Sequence, residues 1–259
     1  MKIAELIPDL IRITQKASDA ILEIYNHDDF GVEHKSDDSP LTKADKASNK
    51  IICEGLEKLP LVYPIISEEN KEAEYEVRKF WRRCWSVDPL DGTKEFIKRN
   101  HDFTTNIALI ENEKVILGMV GIPYFNEIYW AIEGEGAFVQ KNGQVEKLTA
   151  ASFKTTDKGL KIVASRSHLN EETKDFISHF DEPEIVSRGS ALKFLLLAKG
   201  EAHIYPRIAP TMEWDTAAAQ IILEEAGGKL TVHNTGEPMR YNRENLRNPA
   251  FIAVGDVSE

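Results

Sequence analysis

The residues VDPLDGTKEFI, at positions 87–97, say most about how this chain folds. The apolar run CWSVD (84–88) just before and within it predicts a buried strand. Proline has no backbone N–H to donate to a sheet, so Pro89 is expected to end that strand. Gly92 and Thr93 then lead into a helix, which makes this stretch a strand-to-helix junction.

Two carboxylates stand three residues apart at this junction. Asp88 and Asp91 could converge on one cation, with the Leu90 carbonyl facing the same ion, because hard cations prefer oxygen ligands. The N–H groups of Gly92 and Thr93 would lie at a helix N-terminus, where backbone donors and the helix dipole favour a phosphate. Taken alone, the Asp-Gly pair also fits a type I′ hairpin turn.

Length and charge limit what the whole chain can be. Its 259 residues suffice for one large domain or two moderate ones, and 42% hydrophobic and 29% charged residues are typical of a globular protein. The 43 acidic residues exceed the 32 lysines and arginines, which gives a net charge of -11. That surplus argues against binding to a nucleic acid polymer, but not against a small anion held by local cations.

Cysteine content and hydropathy predict a cytoplasmic protein. Cys53 and Cys84 cannot build a disulfide framework and show no zinc spacing, so we expect free, buried thiols in a reducing compartment. The N-terminal apolar residues are interrupted by charges from Glu5 onward, unlike those of a signal peptide. No stretch reaches about 18 consecutive apolar residues, so no membrane span is predicted.

The pattern of elements changes midway along the chain. The first part combines amphipathic helices, near residues 3–24 and 44–59, with long β-prone runs that predict an antiparallel sheet and a hairpin at Asn142-Gly143. In the second part, short strands alternate with helices. We predict a mixed α+β fold of two subdomains, residues 1–155 and 156–259, that share a cleft.

Further carboxylates stand at the ends of predicted elements. Glu68 and Glu69 follow the strand IIS, Asp215 starts a helix in MEWDTAAAQ, and Asp45 lies early in the helix after SPLT. Each has an ordinary explanation when taken alone, as a solvated acidic loop or as a residue at a helix start. Together with the 88 and 91 pair they could hold two or three hard cations. Without cations they would repel one another, and their pKa values would rise.

These motifs occur in the order SPLTKAD, ISEEN, VDPLDGTKEF and WDTAA followed by a glycine pair. In this order they resemble the inositol monophosphatase superfamily of metal-dependent, lithium-sensitive phosphatases, over essentially the whole chain. The resemblance implies a layered αβαβα sandwich, which agrees with the mixed α+β prediction. The segments VASRSH, GSALKF and YPR are similar to those of the 3′(2′),5′-bisphosphate nucleotidases within that superfamily.

The resemblance implies a set of metal ligands and a pair of residues that activate water. The implied metal ligands are Glu68, Asp88, Asp91, Asp215 and the carbonyl of Leu90. Thr93 and Asp45 would orient the attacking water and take its proton, and Glu68 would also count as catalytic. The scissile phosphate would lie on the N–H groups of Gly92 and Thr93. Glu69 is expected to lie farther from the metal.

The second half of the chain would bind the rest of the substrate. By resemblance, the residues around the nucleoside and its second phosphate are Ser165, His168, Gly189, Ser190, Lys193 and Arg207, and Tyr205 could flank the base. The substrate would also contact Glu68, Leu90, Asp91 and Asp215. Ser190 is expected to begin a helix, with Lys193 one turn later on the same side. The ordinary alternatives are a plain helix cap for Ser190, a solvated lysine for Lys193 and a loop histidine for His168.

The expected activity is removal of the 3′-phosphate of adenosine 3′,5′-bisphosphate to give AMP, which would clear a by-product of sulfate assimilation. A second candidate substrate is 3′-phosphoadenylyl sulfate, and two or three Mg²⁺ ions would be the cofactors. The alternatives are an inositol monophosphatase or sugar-bisphosphatase of the same superfamily, and a non-catalytic nucleotide or metal sensor. An intact Asp45 and Thr93 pair argues against a sensor. The sequence leaves open whether the chain is a monomer or a homodimer, and whether it associates peripherally with the cytoplasmic side of the inner membrane.

Overall fold

The computed structural model describes residues 2–27, 30–35, 39–164 and 170–258 of the chain. The helices are α1 (Ile7–Tyr25), α2 (Lys43–Glu57), α3 (Tyr75–Arg78), α4 (Thr93–Ile97), α5 (Glu171–Ser178), α6 (Leu192–Ala198) and α7 (Glu213–Glu225). A 3₁₀ turn, Ile3–Leu6, precedes α1, so the predicted first helix is two consecutive helical segments. None of the helices in these ranges is both long enough and apolar enough to cross a membrane.

The strands form two larger sheets and two short pairs. The first short pair is β1 (Glu33–His34) with β2 (Pro40–Leu41). The first sheet has its seven strands side by side in chain order: β3 (Ile65–Ser67), β4 (Arg83–Asp91), β5 (Thr104–Glu111), β6 (Lys114–Ile122), β7 (Glu127–Ile132), β8 (Gly136–Lys141) and β9 (Gln144–Lys147). After β10 (Ser152–Phe153) come β11 (Lys161–Ala164), β12 (Glu184–Ser187), β13 (Ile204–Arg207), β14 (Lys229–Val232), β15 (Phe251–Val254) and β16 (Asp256–Val257). Strands β11 to β15 form the second sheet in the order β12-β11-β13-β15-β14, and β10 pairs with β16.

Helices and sheets alternate in five layers. Helices α1 and α2 cover one face of the first sheet, and α6 and α7 fill the space between the two sheets. Helix α5 covers the outer face of the second sheet, where Ile162 and Ile177 share a core. The next residue along β11, Val163, belongs to the core between the sheets, as expected for alternate residues of a strand. This is the predicted αβαβα sandwich, so the predicted fold class is confirmed.

Helix α7 belongs to the second half of the chain but packs closely on the first sheet. It contacts β4, β5 and β6, and its buried residues share one core with side chains of both sheets. The change of sheet falls between β9 and β11, close to the predicted boundary. The division into residues 1–155 and 156–259 as subdomains stays a prediction.

Strand β4 departs from the sequence prediction. The expectation that Pro89 ends this strand is wrong, because β4 continues through it to Asp91. Strand β3 pairs with β4 only as far as Val87, and the pairing with β5 shifts register between Asp88 and Asp91. Pro89 therefore falls in a bulge beyond the paired part of β3, a position where a sheet tolerates proline.

Candidate active site

The bulge in β4 brings two carboxylates to one side of the first sheet. Side chains three positions apart on a regular strand point to opposite faces. Asp88 pairs with Asn106, and Asp91 pairs with Thr104. Three residue steps along β4 therefore match two steps along β5. The extra residue in β4 reverses the alternation of side chains between the two faces, so Asp88 and Asp91 point to the same face. Asp88 and Asp91 thereby meet Asp215, and carboxylate oxygens of these three residues, the aspartate group, lie within 4.8 Å of one another.

Asp45 and Asp215 are each the third residue of a helix, and each accepts a hydrogen bond from the residue before that helix. The Thr42 N–H donates to Asp45 Oδ2 at 2.7 Å, and the Met212 N–H donates to Asp215 Oδ2 at 2.8 Å. These bonds fix one oxygen of each carboxylate. The other oxygen of Asp45 accepts the Thr93 hydroxyl at 3.1 Å. Asp45 and Asp215 therefore each stabilise the start of a helix and also belong to the site.

Burial and crowding disfavour negative charge in this region. Burial raises the pKa of Asp88 well above its usual value, and the charges of Glu68 and Asp91 raise it further. Burial, followed by the charge of Asp91, raises the pKa of Asp215 to about 8. Burial also raises the pKa of Asp45. A divalent cation would compensate these charges, so the set of oxygen donors fits a hard metal ion.

Glu68 stands beside the aspartate group but is paired with a lysine. The Lys35 Nζ lies 2.7 Å from Glu68 Oε1 and 2.6 Å from Glu69 Oε1. Burial lowers the pKa of Lys35, but the two glutamates outweigh burial and leave that pKa raised. Burial raises the pKa of both glutamates as well. Lys35 supplies positive charge that the sequence analysis did not anticipate, since its segment reads as an ordinary polar loop.

A cavity of about 340 Å³ opens next to the aspartate group. Residues from both halves of the chain line it, among them Asp91, Gly92, Gly189, Ser190, Lys193, Tyr205, Arg207 and Asp215. The structure therefore brings these predicted residues of the second half together with Asp91 and Gly92 of the DPLDGT segment. Ser165 and His168, the other two predicted contacts, lie outside the described residues.

Two cations in the wall of this cavity are held in ways that suit an anion. Lys193 is only 7% exposed, its Nζ donates to the Ser190 carbonyl at 2.8 Å, and it lies 5.5 Å from the centre of the Tyr205 ring. Burial lowers the pKa of Lys193 to about 8, so its charge is poorly solvated. Arg207 donates to the Pro210 carbonyl at 3.1 Å, and its buried Nε has no hydrogen-bond partner within the described residues. A bound anion would satisfy both side chains.

Ser190 does not begin a helix, contrary to the sequence prediction. Helix α6 starts at Leu192 with Ala191 as its cap, and Ser190 has a φ of 52° in the left-handed region. The Ser190 hydroxyl donates to Asp91 Oδ2 at 2.8 Å instead. This bond offsets a backbone conformation that costs a non-glycine residue about 1 kcal/mol or more. The alternatives of a plain cap for Ser190 and a solvated side chain for Lys193 are both wrong.

Two glycines allow the segments around the cavity to approach closely. A Cβ on Gly92 would come 2.8 Å from the Asp102 carbonyl oxygen, and one on Gly189 would come 2.8 Å from Glu95 Cγ. The Gly189 N–H donates to Asp102 Oδ2 at 2.9 Å. Asp102 therefore joins the Gly92 segment of the first half to the Gly189 segment of the second.

Thr104 and Asn106, which the sequence places only in a predicted strand, also reach this region. The Thr104 Oγ1 lies 2.6 Å from Ser190 Oγ and 3.0 Å from Asn106 Oδ1. The available signal was two polar side chains at alternate positions of an otherwise apolar strand, which places both on one face.

A family model matches the chain over residues 3–252, and its description is the inositol monophosphatase family. The chain belongs to the inositol monophosphatase family. Among curated proteins, this family member is 41% identical to the 3′(2′),5′-bisphosphate nucleotidase CysQ of Escherichia coli (strain K12), over 95% of this chain and 98% of that protein. It is 38% identical to the CysQ nucleotidase of Buchnera aphidicola subsp. Acyrthosiphon pisum, over 96% and 93% of the two chains.

Solved structures of inositol monophosphatase family members agree with the architecture. CysQ from Bacteroides thetaiotaomicron is 40% identical, with a TM-score of 0.84 over 95% of this chain and 96% of that one. The Thermotoga maritima IMPase is 25% identical, with a TM-score of 0.79 over 96% of this chain and 92% of that one. The resemblance inferred from the motifs is confirmed.

Proposed function

We propose that this chain is a Mg²⁺-dependent 3′(2′),5′-bisphosphate nucleotidase that converts adenosine 3′,5′-bisphosphate to AMP and phosphate, with 3′-phosphoadenylyl sulfate as a second candidate substrate. One observation carries the proposal: the aspartate group lies beside a cavity whose wall holds Lys193 and Arg207. The scissile phosphate needs the metal ions that the aspartate group would hold. A second anionic group on the same substrate needs the two cations of the cavity wall. Nucleotidases that match nearly the whole chain support the same substrate class. The role would be clearance of a by-product of sulfate assimilation.

Three alternatives are less well supported. An inositol monophosphatase has no use for a second, cationic subsite for phosphate. A sugar-bisphosphatase would use such a subsite, but the relatives that match nearly the whole chain are nucleotidases. A non-catalytic sensor has no need of the hydrogen-bonded Thr93 and Asp45 pair. The cytoplasmic location, a monomeric or dimeric state and a peripheral contact with the inner membrane stay predictions from the sequence.

The donor set would hold two or three Mg²⁺ ions. The residues that would hold them are Glu68, Asp88, Asp91, Asp215 and the carbonyl of Leu90. When bound, Mg²⁺ supplies positive charge that stabilises the transferring phosphoryl group and the leaving oxygen, and it lowers the pKa of the attacking water. The N–H groups of Gly92 and Thr93 would orient the phosphate.

Thr93 and Asp45 would handle the proton of the attacking water. The Thr93 hydroxyl lies 3.1 Å from Asp45 Oδ1 and 3.3 Å from the Leu90 carbonyl, and it donates to the carboxylate as the stronger acceptor. The Thr93 oxygen can then accept a hydrogen bond from water. As water loses its proton to Thr93, the proton of Thr93 passes to Asp45. The raised pKa of Asp45 makes it a better base near neutral pH.

A phosphate-release panel tests the assignment. With Mg²⁺, kcat/KM for adenosine 3′,5′-bisphosphate should exceed that for inositol 1-phosphate by at least ~10²-fold, about 2.7 kcal/mol of differential transition-state binding. Fructose 1,6-bisphosphate serves as a doubly phosphorylated control that lacks a base. Similar efficiencies on all three would contradict the nucleotidase and leave the family assignment standing. An absence of phosphate release from all three would favour the sensor.

Lys193→Met should weaken binding of the second phosphate. Methionine keeps the packed stem and removes the charge, so KM for adenosine 3′,5′-bisphosphate should rise ~10–150-fold, the equivalent of about 1.5–3 kcal/mol for a charge-assisted contact. Hydrolysis of adenosine 3′-monophosphate should change little. Steady-state kinetics on both substrates are the measurement.

The matched control for this prediction is Lys199→Met. Lys199 directly follows α6, the helix that contains Lys193. It pairs with Glu201 at 2.6 Å and does not line the cavity beside the aspartate group. It should leave both substrates unaffected. Equal losses on the bisphosphate and the monophosphate in Lys193→Met would show that Lys193 acts on catalysis generally or on folding.

A further inference from the structure

A row of buried polar side chains runs from β5 to Asp91. The Asn106 amide lies 3.0 Å from Thr104 Oγ1, Thr104 Oγ1 lies 2.6 Å from Ser190 Oγ, and Ser190 Oγ lies 2.8 Å from Asp91 Oδ2. Thr104 and Asn106 are 0% and 1% exposed. Because bulk water does not reach them, these groups must satisfy most of their hydrogen bonds with one another.

Three short contacts in this row require three protons. Asp91 has none to give when it is ionised, as a metal ligand must be. The Ser190 proton therefore lies in the contact with Asp91, and the Thr104 proton lies in the contact with Ser190. The proton between Thr104 and Asn106 must then come from the Asn106 amide.

The placement of the Asn106 amide agrees with this count once its two ends are exchanged. In the structure, Asn106 Oδ1 faces Thr104, and the buried Nδ2 has no hydrogen-bond partner within the described residues. The two ends of a carboxamide are assigned from the hydrogen bonds that they can make. With Nδ2 facing Thr104, each of the three contacts holds one proton, and the end without a partner becomes Oδ1, since a buried oxygen without a partner is less rare than a buried N–H without one.

We infer that Asn106, Thr104 and Ser190 form a directed hydrogen-bond chain that positions the Asp91 carboxylate for metal binding. The inference rests on the proposed function, in which Asp91 is a metal ligand. The chain occupies Asp91 Oδ2 and so fixes the rotation of the carboxylate, as outer hydrogen-bond partners do at metal sites. Asn106 and Thr104 do not line the cavity, so both are positioning residues.

Thr104→Val removes the middle hydroxyl of the hydrogen-bond chain and leaves the size of the residue 104 side chain nearly unchanged. Titration calorimetry of Mg²⁺ into the substrate-free protein should show a dissociation constant raised by ~10–100-fold, the usual cost of losing such a partner. The Mg²⁺ concentration for half-maximal activity should rise in parallel, while kcat at saturating Mg²⁺ should fall much less. Thr104→Ser keeps the hydroxyl and should restore Mg²⁺ binding.

The matched control is Thr105→Val, the same chemical change at the next residue. Thr105 is 0% exposed on the opposite face of β5, and its hydroxyl has no hydrogen-bond partner in the described parts of the chain. Mg²⁺ binding should therefore stay at the wild-type level. Equal Mg²⁺ affinities for Thr104→Val and Thr105→Val would overturn the inference. If the valine variants do not fold, Thr104→Ala and Thr105→Ala repeat the comparison.

Asn106→Leu tests whether Asn106 is part of the hydrogen-bond chain. It removes the first donor and should weaken Mg²⁺ binding in the same way as Thr104→Val. Unchanged binding in Asn106→Leu, beside weakened binding in Thr104→Val, would overturn the assignment of Asn106 as that donor. Failure of the wild-type protein to bind Mg²⁺ would instead overturn the metal site of the proposed function, and this inference with it.

Discussion

Asp88→Asn should lower kcat by ~10³-fold or more, because it would replace the proposed charged metal ligand at the centre of the site with a neutral one. Asp88 is only 1% exposed, and the carboxylates of Glu68, Asp91 and Asp215 all raise its pKa. It is therefore surrounded by the other carboxylates of the proposed metal site. The measurement is kcat at saturating Mg²⁺ with adenosine 3′,5′-bisphosphate.

The same substitution should stabilise the metal-free protein. The pKa of Asp88 is higher in the folded chain than in the unfolded chain, so the folded state loses stability as pH rises above about 4, the unfolded value. Asparagine does not titrate and escapes this loss. In EDTA, the gain in Tm of Asp88→Asn over wild type should therefore grow with pH.

Glu127→Gln is the matched control, since it removes a charge from another buried carboxylate outside the aspartate group. Glu127 is 8% exposed and accepts the Tyr129 hydroxyl at 2.6 Å. Although burial raises the pKa of Glu127, hydrogen bonds from Lys141 and Tyr129 leave it lowered. Its loss should lower stability and leave kcat unchanged, the reverse of Asp88→Asn. A kcat for Asp88→Asn within about tenfold of wild type would exclude Asp88 as a metal ligand.

Asp45→Asn should lower kcat by ~10²–10⁴-fold, the usual contribution of a general base. It should not destabilise the protein, because burial raises the pKa of Asp45 and so disfavours its negative charge. The amide oxygen can take the place of Oδ2 and continue to accept the Thr42 N–H at the start of α2. The amide nitrogen then faces Thr93 and donates to its hydroxyl oxygen. The hydrogen bond between these residues is reversed, so Thr93 can no longer pass a proton to residue 45.

Asp45→Ala separates the two roles of this residue. It removes the acceptor for Thr42 as well as the base, so its free energy of unfolding should lie about 1–2 kcal/mol below that of Asp45→Asn, in addition to the loss of kcat. Thermal unfolding and kcat of both variants give the comparison. If Asp45→Asn kept wild-type kcat, Asp45 would serve only the start of α2.

Most helices and turns follow from chemistry that acts over a few residues. The Thr42 side chain caps α2, Asn142 and Gly143 form the predicted hairpin turn with φ values of 50° and 75°, and Gly200 follows α6 with a φ of 72°. Each needs only a local acceptor or a residue that tolerates a positive φ. Such features can be predicted from the sequence.

The parts of the site that escaped prediction depend on contacts between distant segments. The bulge that aligns Asp88 with Asp91 exists only in the pairing of β4 with β5. The left-handed conformation of Ser190 is tied to its bond with Asp91 on the other half of the chain. The pairing of Lys35 with Glu68 likewise joins segments that no local pattern connects. The motifs indicated which residues meet, but tertiary pairing decides how they are oriented.

The position of Asp215 on α7 has a consequence for biosynthesis. The first sheet, which carries Asp88 and Asp91, leaves the ribosome before α7, and these two aspartates reach their third partner only when α7 packs between the two sheets. A nascent chain therefore lacks the complete cation site until its last long helix has docked. An ion that binds only the native state shifts the folding equilibrium towards that state. Mg²⁺ would therefore stabilise the fully folded protein and not its folding intermediates. Chains truncated before α7 would gain no stability from Mg²⁺ and would be exposed to cellular proteases.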